Sequence, residues 1–285
     1  MLIQDWIYQT DDAQQRDFRK AVHIALRAIS YTQSIPFIAL KGSILISLSY
    51  FGSRKTKDVD FSTNLKKNDF DIDDLTEELS ENIILSNEEL EYDVVCQLQN
   101  FKVKPSSLHS SWPTVKFSIG YASYSKTSEL KKLRNNNSPR VLHLDCSINE
   151  EITEYTYIDI DEDVTLKAYS LHDLIAEKYR AIIQQKFRHP SGDFYRKQDI
   201  YDIYKLLTEN LNHIDKCKVL YSLMAKSNAR DIDIYYGLLE EKIIVEKSRK
   251  GYEEQAQEVA DTLPPFNTAY KIITDFFNSL FSHSN

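Results

Sequence analysis

The segment from Pro36 to Thr63, PFIALKGSILISLSYFGSRKTKDVDFST, constrains the fold more than any other part of the chain. Apolar Phe37 to Leu40 suit a buried strand, and Gly42-Ser43 breaks it. Ile44 to Phe51 supply a short apolar helix or turn, Gly52 permits a reversal, and Val59 to Phe61 begin a second strand. Side chains alternate along a strand, so Asp58 and Asp60 point to one face and Val59 and Phe61 to the other. Two carboxylates converging there repel unless compensated, and a divalent cation is the usual compensation. A Gly-Ser turn entering a helix offers backbone N–H groups and a hydroxyl to a phosphate. Together the two features describe a site for a nucleoside triphosphate.

Ahead of this segment, Asp12 to Gln33 has the apolar spacing of an amphipathic helix, with His23 beside its stripe as a structural residue. After it, Asn68 to Glu81 starts with Asp69, Asp71, Asp73 and Asp74, which suit the N-terminus of a helix better than a metal. Tyr92 to Leu98, Phe101 to Val103 and Val115 to Tyr121 read as strands. Lys126, Lys131, Lys132, Arg134 and Arg140 then concentrate positive charge in a polar loop, where an RNA backbone contact is one reading and a solvated loop the other. In VLHLDCSIN, alternation sets Leu142, Leu144 and Cys146 against His143, Asp145 and Ser147. A lone Asp in a strand built for burial needs a reason.

From about Leu166 helical periodicity replaces strand patterning, which places a domain boundary near Glu162. Ser170 and Asp173 form a variant capping box, and Lys178 lies among the polar residues of the helix that follows. A turn at Pro190 to Gly192 precedes another helix, in which Asp199 and Asp202 share a face opposite Ile200, Ile203 and Leu207. Further helices are expected over Lys216 to Ala225, Ile232 to Lys247, Tyr252 to Thr262 and Asn267 to Phe281, with Gly251 and Pro264-Pro265 as breaks.

Composition narrows the classes. At 285 residues the chain can bury one large or two modest cores. The three cysteines, Cys96, Cys146 and Cys217, are odd in number and widely spaced, which argues against a disulfide framework or zinc site and suits a reducing cytoplasm. The sequence has no apolar run long enough for a membrane span and no leader pattern, so no membrane partner is expected. A net charge of −8 argues against nonspecific coating of nucleic acid while leaving room for a local basic track.

LKGSILISLSYFGSRKTKDVDFS resembles the signature of the DNA polymerase β superfamily and, more closely, that of the AbiEii/AbiGii toxin family. The family pattern is Lys-Gly-Gly-hydroxyl, then Arg-x-Ser/Thr-x-Asp-hydrophobic-Asp-Phe. Lys41, Gly42, Ser43, Arg54, Thr56, Asp58, Asp60 and Phe61 match it. One Gly of the usual pair is missing, and Lys57 precedes the first Asp. LHDLIAEKYRAIIQQ is similar to the family's Glu-Lys-hydrophobic-x-Ala helix, and QDIYD to its Arg-Asp-hydrophobic-x-Asp segment, with Gln198 in place of Arg.

The resemblance implies an α+β fold: a polymerase β-like mixed sheet with flanking helices over residues 1–162, then a C-terminal helical bundle over 163–285. It implies that Asp58, Asp60 and Asp145 bind Mg2+ or Mn2+. Lys41, Gly42, Ser43, Arg54, Thr56 and Lys178 would hold an NTP, and Asp199 rather than Asp202 would serve the acceptor hydroxyl. The expected activity moves an NMP to that hydroxyl, with the 3′ end of tRNA as acceptor and a cognate antitoxin as partner in a toxin–antitoxin or phage-defence pair. A silent nucleotide-binding module, or an enzyme that modifies a protein or small molecule, is the alternative.

Overall fold

The computed structural model describes residues 3–51, 56, 58–105, 111–187, 195–196, 198–254 and 263–282. These fall into two compact units: residues up to 51, 56–150 and 156–168 form the first, and 151–155 with those from 169 onward form the second.

A seven-stranded mixed sheet organises the first unit, in the order β3-β4-β5-β2-β1-β7-β6. Its central strands are β1 (Ala39–Lys41), β2 (Asp58–Ser62) and β5 (Val141–Ser147). β2 runs antiparallel to β1 and parallel to β5. Beyond β5 come β4 (Thr114–Ser123) and the edge strand β3 (Val94–Lys104), which absorbs an irregularity between Leu98 and Asn100. The expected strands Tyr92 to Leu98 and Phe101 to Val103 are therefore one. β6 (Tyr155–Asp159) and β7 (Thr165–Tyr169) complete the order in a stretch where no strand was expected.

One sheet face is apolar. Val59, Phe61, Leu142, Leu144, Cys146, Val115, Phe117 and Ile119 are buried there. α2 (Ala13–Ser30), capped by Asp12 onto Gln14 N and Gln15 N, packs against β3, β4 and β5, and α4 (Ile72–Leu90) packs against α2 and β3. Asp71 caps α4 through Asp73 N, so part of the acidic run serves a helix start. His23 is buried on α2, 2.8 Å from both Tyr92 Oη and Asp161 Oδ2, and burial lowers its pKa. It cross-links three segments of the unit.

The second unit is helical: α6 (Leu171–Gln184), α7 (Asp199–Asn210), α8 (Lys216–Asn228), α9 (Lys242–Glu254) and α10 (Phe266–Ser279). Ser170 caps α6, its hydroxyl accepting from Asp173 N. Tyr179 Oη donates to Ile273 O at 2.8 Å, and its ring lies 5.5 Å from that of Phe277. The helix expected over Ile232 to Lys247 begins only at Lys242: residues 232–237 are not helical, and Gly237 takes a φ of 81° that no helix accommodates. Gly251, expected as a break, instead lies buried inside α9. Residues 255–262 and the turn at Pro190 to Gly192 lie outside the described residues.

Candidate active site

The polar face of the sheet carries the candidate acids. Asp58 is exposed and Asp60 half-buried, while their neighbours Val59 and Phe61 are wholly buried, as strand alternation requires. Register fixes what stands beside them. Lys41 pairs with Asp60, Asp60 with Asp145, and Asp145 with Lys116, so four charged residues form one row across β1, β2, β5 and β4. At about 4.8 Å per strand the row spans about 14 Å. Its charges run plus, minus, minus, plus. Adjacent carboxylates repel, and a cation at each end offsets that cost.

Lys116 Nζ donates to Asp145 Oδ2, while Asp145 Oδ1 is buried with no hydrogen-bond partner among the described residues. Lys41 Nζ donates to Ser147 Oγ at 3.1 Å, so its side chain passes over β2 to reach β5. Cys146 lies on the opposite face, and burial pushes its thiol up to about 12, which disqualifies it as a nucleophile.

Gly42 opens α3 (Gly42–Ser49) at φ 71°. A Cβ there would stand 2.4 Å from Asp60 Oδ2. The missing side chain therefore lets the start of a helix approach the Asp60 carboxylate, with α3's amide dipole favouring negative charge. Ser43 Oγ lies 2.5 Å from Thr56 Oγ1, which donates onward to Asp58 O at 3.2 Å. A hydroxyl pair thus ties the turn to the strand that carries the acids. Arg54 and Lys57 lie outside the described residues.

The donor set suits a hard cation: three carboxylates, one with an orphaned buried oxygen, beside a glycine cradle. Among the described residues, however, no three acid, His or Cys side chains stand together as a ready metal cage. Lys116 draws Asp145 to its own side.

The second unit gathers the remaining candidates. Lys178 Nζ on α6 donates to Asp199 Oδ1 at 3.0 Å and to Asp202 Oδ2 at 2.7 Å on α7. All three are buried, Asp202 completely. Lys178 was expected among the polar residues of its helix, and the ion pairs explain its burial, since buried charge must find a partner. Arg196 lies 3.7 Å from Asp199, while Lys197 lies outside the described residues.

The family model for the Nucleotidyl transferase AbiEii toxin of Type IV toxin–antitoxin systems matches residues 24–272. The chain belongs to the AbiEii nucleotidyltransferase toxin family. Among solved structures, JHP933 from Helicobacter pylori superposes with a TM-score of 0.53 at 14% identity, covering 95% of this chain and 93% of that one. A candidate nucleotidyltransferase from H. pylori gives 0.51 at 13%, covering 94% and 95%. An antigenic nucleotidyltransferase-like protein from Paracoccidioides brasiliensis gives 0.36 at 16%, covering 75% and 89%. At these identities the first two show a shared fold. No curated protein matches the chain.

This AbiEii chain is thus a nucleotidyltransferase whose family implies an NTP substrate and a cognate antitoxin. Sequence reasoning missed Lys116 as the neighbour of Asp145 and Ser147 as the partner of Lys41. Both point to the polar face by simple alternation, but only the β4–β5 and β2–β5 registers set them beside Asp145 and Lys41. The expected basic loop also changes character. Thr127–Arg134 forms helix α5, and Arg140 is engaged elsewhere, 2.8 Å from Asp17 and stacked on Tyr121. Among the described residues, no helix is long and apolar enough to cross a membrane.

Proposed function

We propose that this toxin carries out metal-dependent transfer of an NMP from an NTP to an RNA hydroxyl, with the 3′ end of tRNA as acceptor, in the cytoplasm and as part of phage defence. The row Lys41–Asp60–Asp145–Lys116 carries the reading, because two adjacent carboxylates beside a Gly-Ser turn suit a triphosphate and its counter-ion. The acceptor oxygen forms a bond to the α-phosphorus, the bond to the β-phosphate oxygen breaks, and pyrophosphate leaves. Held by Asp58, Asp60 and Asp145, Mg2+ or Mn2+ would stabilise the charge developing at the reacting phosphate.

The chain's own groups supply the rest. Backbone N–H groups at Gly42 and Ser43 meet phosphate oxygens at the start of α3, and the Ser43–Thr56 hydroxyl pair holds that turn to β2. Lys41 lies over β2, where its ammonium offsets triphosphate charge. By family resemblance Arg54 and Lys178 serve the triphosphate, and Asp199 orients or deprotonates the acceptor hydroxyl, with Asp202 holding Lys178.

Incubation with each α-32P-labelled NTP, Mg2+ and total RNA, followed by denaturing electrophoresis, tests this. Label in the tRNA band that disappears with Asp58→Ala is expected. Full transfer by Asp58→Ala would overturn the mechanism, and label confined to protein would overturn the acceptor.

A further inference from the structure

We infer that the open face of β3 and β4, continued by α5, is a binding track for the phosphodiester backbone of a single nucleic-acid strand, leading to the carboxylate row. The inference rests on the nucleotidyl-transfer reading for its purpose and on separate observations for its placement.

Register supplies the first. Lys102 on β3 pairs with Lys116 on β4, so it extends the row Lys41–Asp60–Asp145–Lys116 by one strand on the same face, and Lys104 follows two residues on. Both are exposed. The second is the seat of α5. Gly120 lies four residues beyond Lys116 on that same face, and a Cβ there would stand 2.8 Å from Leu133 Cδ1 of α5. The helix therefore packs onto this face through its buried Leu133, leaving Lys131, Lys132 and Arg134 exposed. Four strand residues cover about 14 Å, which is room for a short run of backbone phosphates between the carboxylate row and α5.

Charge completes the case. The chain is acidic, yet Lys102, Lys104, Lys131, Lys132 and Arg134 have no ion-pair partner among the described residues. Three nearby acids are already engaged, Glu129 with Lys126 and Arg140, Asp145 with Lys116, and Asp93 with Lys20. Lysines on an edge strand also deter edge-to-edge pairing, which alone would explain Lys102 and Lys104. It does not explain the cations on α5 over the same face. Uncompensated cations lined up towards a reactive centre are arranged for a polyanion.

Fluorescence anisotropy of labelled oligoadenylate of about 12 nucleotides, as RNA and as DNA, over about 50–200 mM salt tests the track. Lys131→Ala/Lys132→Ala should weaken binding about tenfold and reduce the slope of log affinity against log salt by about 1.4, at about 0.7 per lost phosphate contact. Lys242→Ala/Lys271→Ala removes the same charge from exposed sites on α9 and α10 and should leave that slope unchanged. Thermal melting serves as the folding control. Equal losses in both variants, or a wild type that binds neither strand, would overturn the track. RNA held more tightly than DNA assigns it to RNA, and the reverse assigns it to DNA and overturns the tRNA acceptor. Labelled RNA product with an unchanged acceptor KM in Lys131→Ala/Lys132→Ala would keep the proposed function and overturn the track. Lysine-dependent binding without any label transfer would do the opposite.

Discussion

On the sheet, Asp58 is exposed, Asp60 half-buried, and Asp145 keeps one oxygen without a partner, whereas in the helical unit Asp202 is sealed and shares the Lys178 ammonium with Asp199. Both clusters contain acids and lysine. They differ in how far solvent reaches them. The sheet row holds two adjacent carboxylates between its flanking ammoniums, and a strand can present such a row because its alternate positions face away from the core. In the helical cluster the buried charges meet one another, because an unpaired charge at that depth would cost several kcal/mol. An open row is suited to exchange its partners for ligand. A buried one must also hold shape.

The comparison breaks if substitutions in the two clusters act alike. Asp60→Ala should reduce nucleotidyl transfer by about a thousandfold or more, about 4 kcal/mol in the transition state, while the melting temperature moves little. A melting loss as large as the activity loss would mean the row is structural. Lys178→Met should lower stability as well as transfer, destabilising the fold by about 3–5 kcal/mol because two buried carboxylates lose a shared counter-charge. Denaturant unfolding measures it. Adding Asp199→Asn and Asp202→Asn should recover part of the loss, and an undisturbed midpoint in the single variant would show that the ammonium is not needed for folding.

Legibility followed the same division. The sheet acids could be read because a period of two survives in DVDFS and VLHLDCS, and the caps Asp71 and Ser170 could be read because capping is local. Their partners could not. Lys116 stands 29 residues from Asp145, and no local rule sets the register that joins them. α5 was hidden because Leu130 and Leu133 are its only apolar positions, between a Ser/Thr-rich start and a run of Asn. β6 was hidden because Tyr155 and Tyr157 are exposed, which leaves a weak inward pattern. Burial of Lys178 and Asp202 was equally illegible, since a Lys and an Asp on amphipathic helices look solvated until the helices pack.

Two smaller effects sharpen the contrast. Gly42→Ala forces a side chain into a left-handed conformation, at about 1–2 kcal/mol, and also drives its Cβ against Asp60 Oδ2. Activity should therefore fall further than that stability loss alone explains, as kinetics and melting on one preparation would show. Parallel losses would remove Gly42 from the site.

Glu154 gives the smallest effect and lies between the two extremes. Its carboxyl is partly exposed, and burial opposes its charge, yet Lys218 Nζ at 2.5 Å, Ser170 Oγ at 2.7 Å and His172 Nδ1 at 2.8 Å more than offset this. Together they bring its pKa from 4.5 down to about 2. A carboxyl whose folded pKa is depressed stabilises the native state fully above its unfolded pKa, and that contribution is lost as pH falls towards the folded value. After solvent screening it amounts to about 1 kcal/mol. Glu154→Gln should therefore melt below the wild type at neutral pH, and the gap should close as pH falls from about 4.5 towards about 2. A gap that stays constant across that range would mean that Glu154 acts through shape and hydrogen bonding rather than charge, and would place it with the closed cluster of Lys178 instead of between the two.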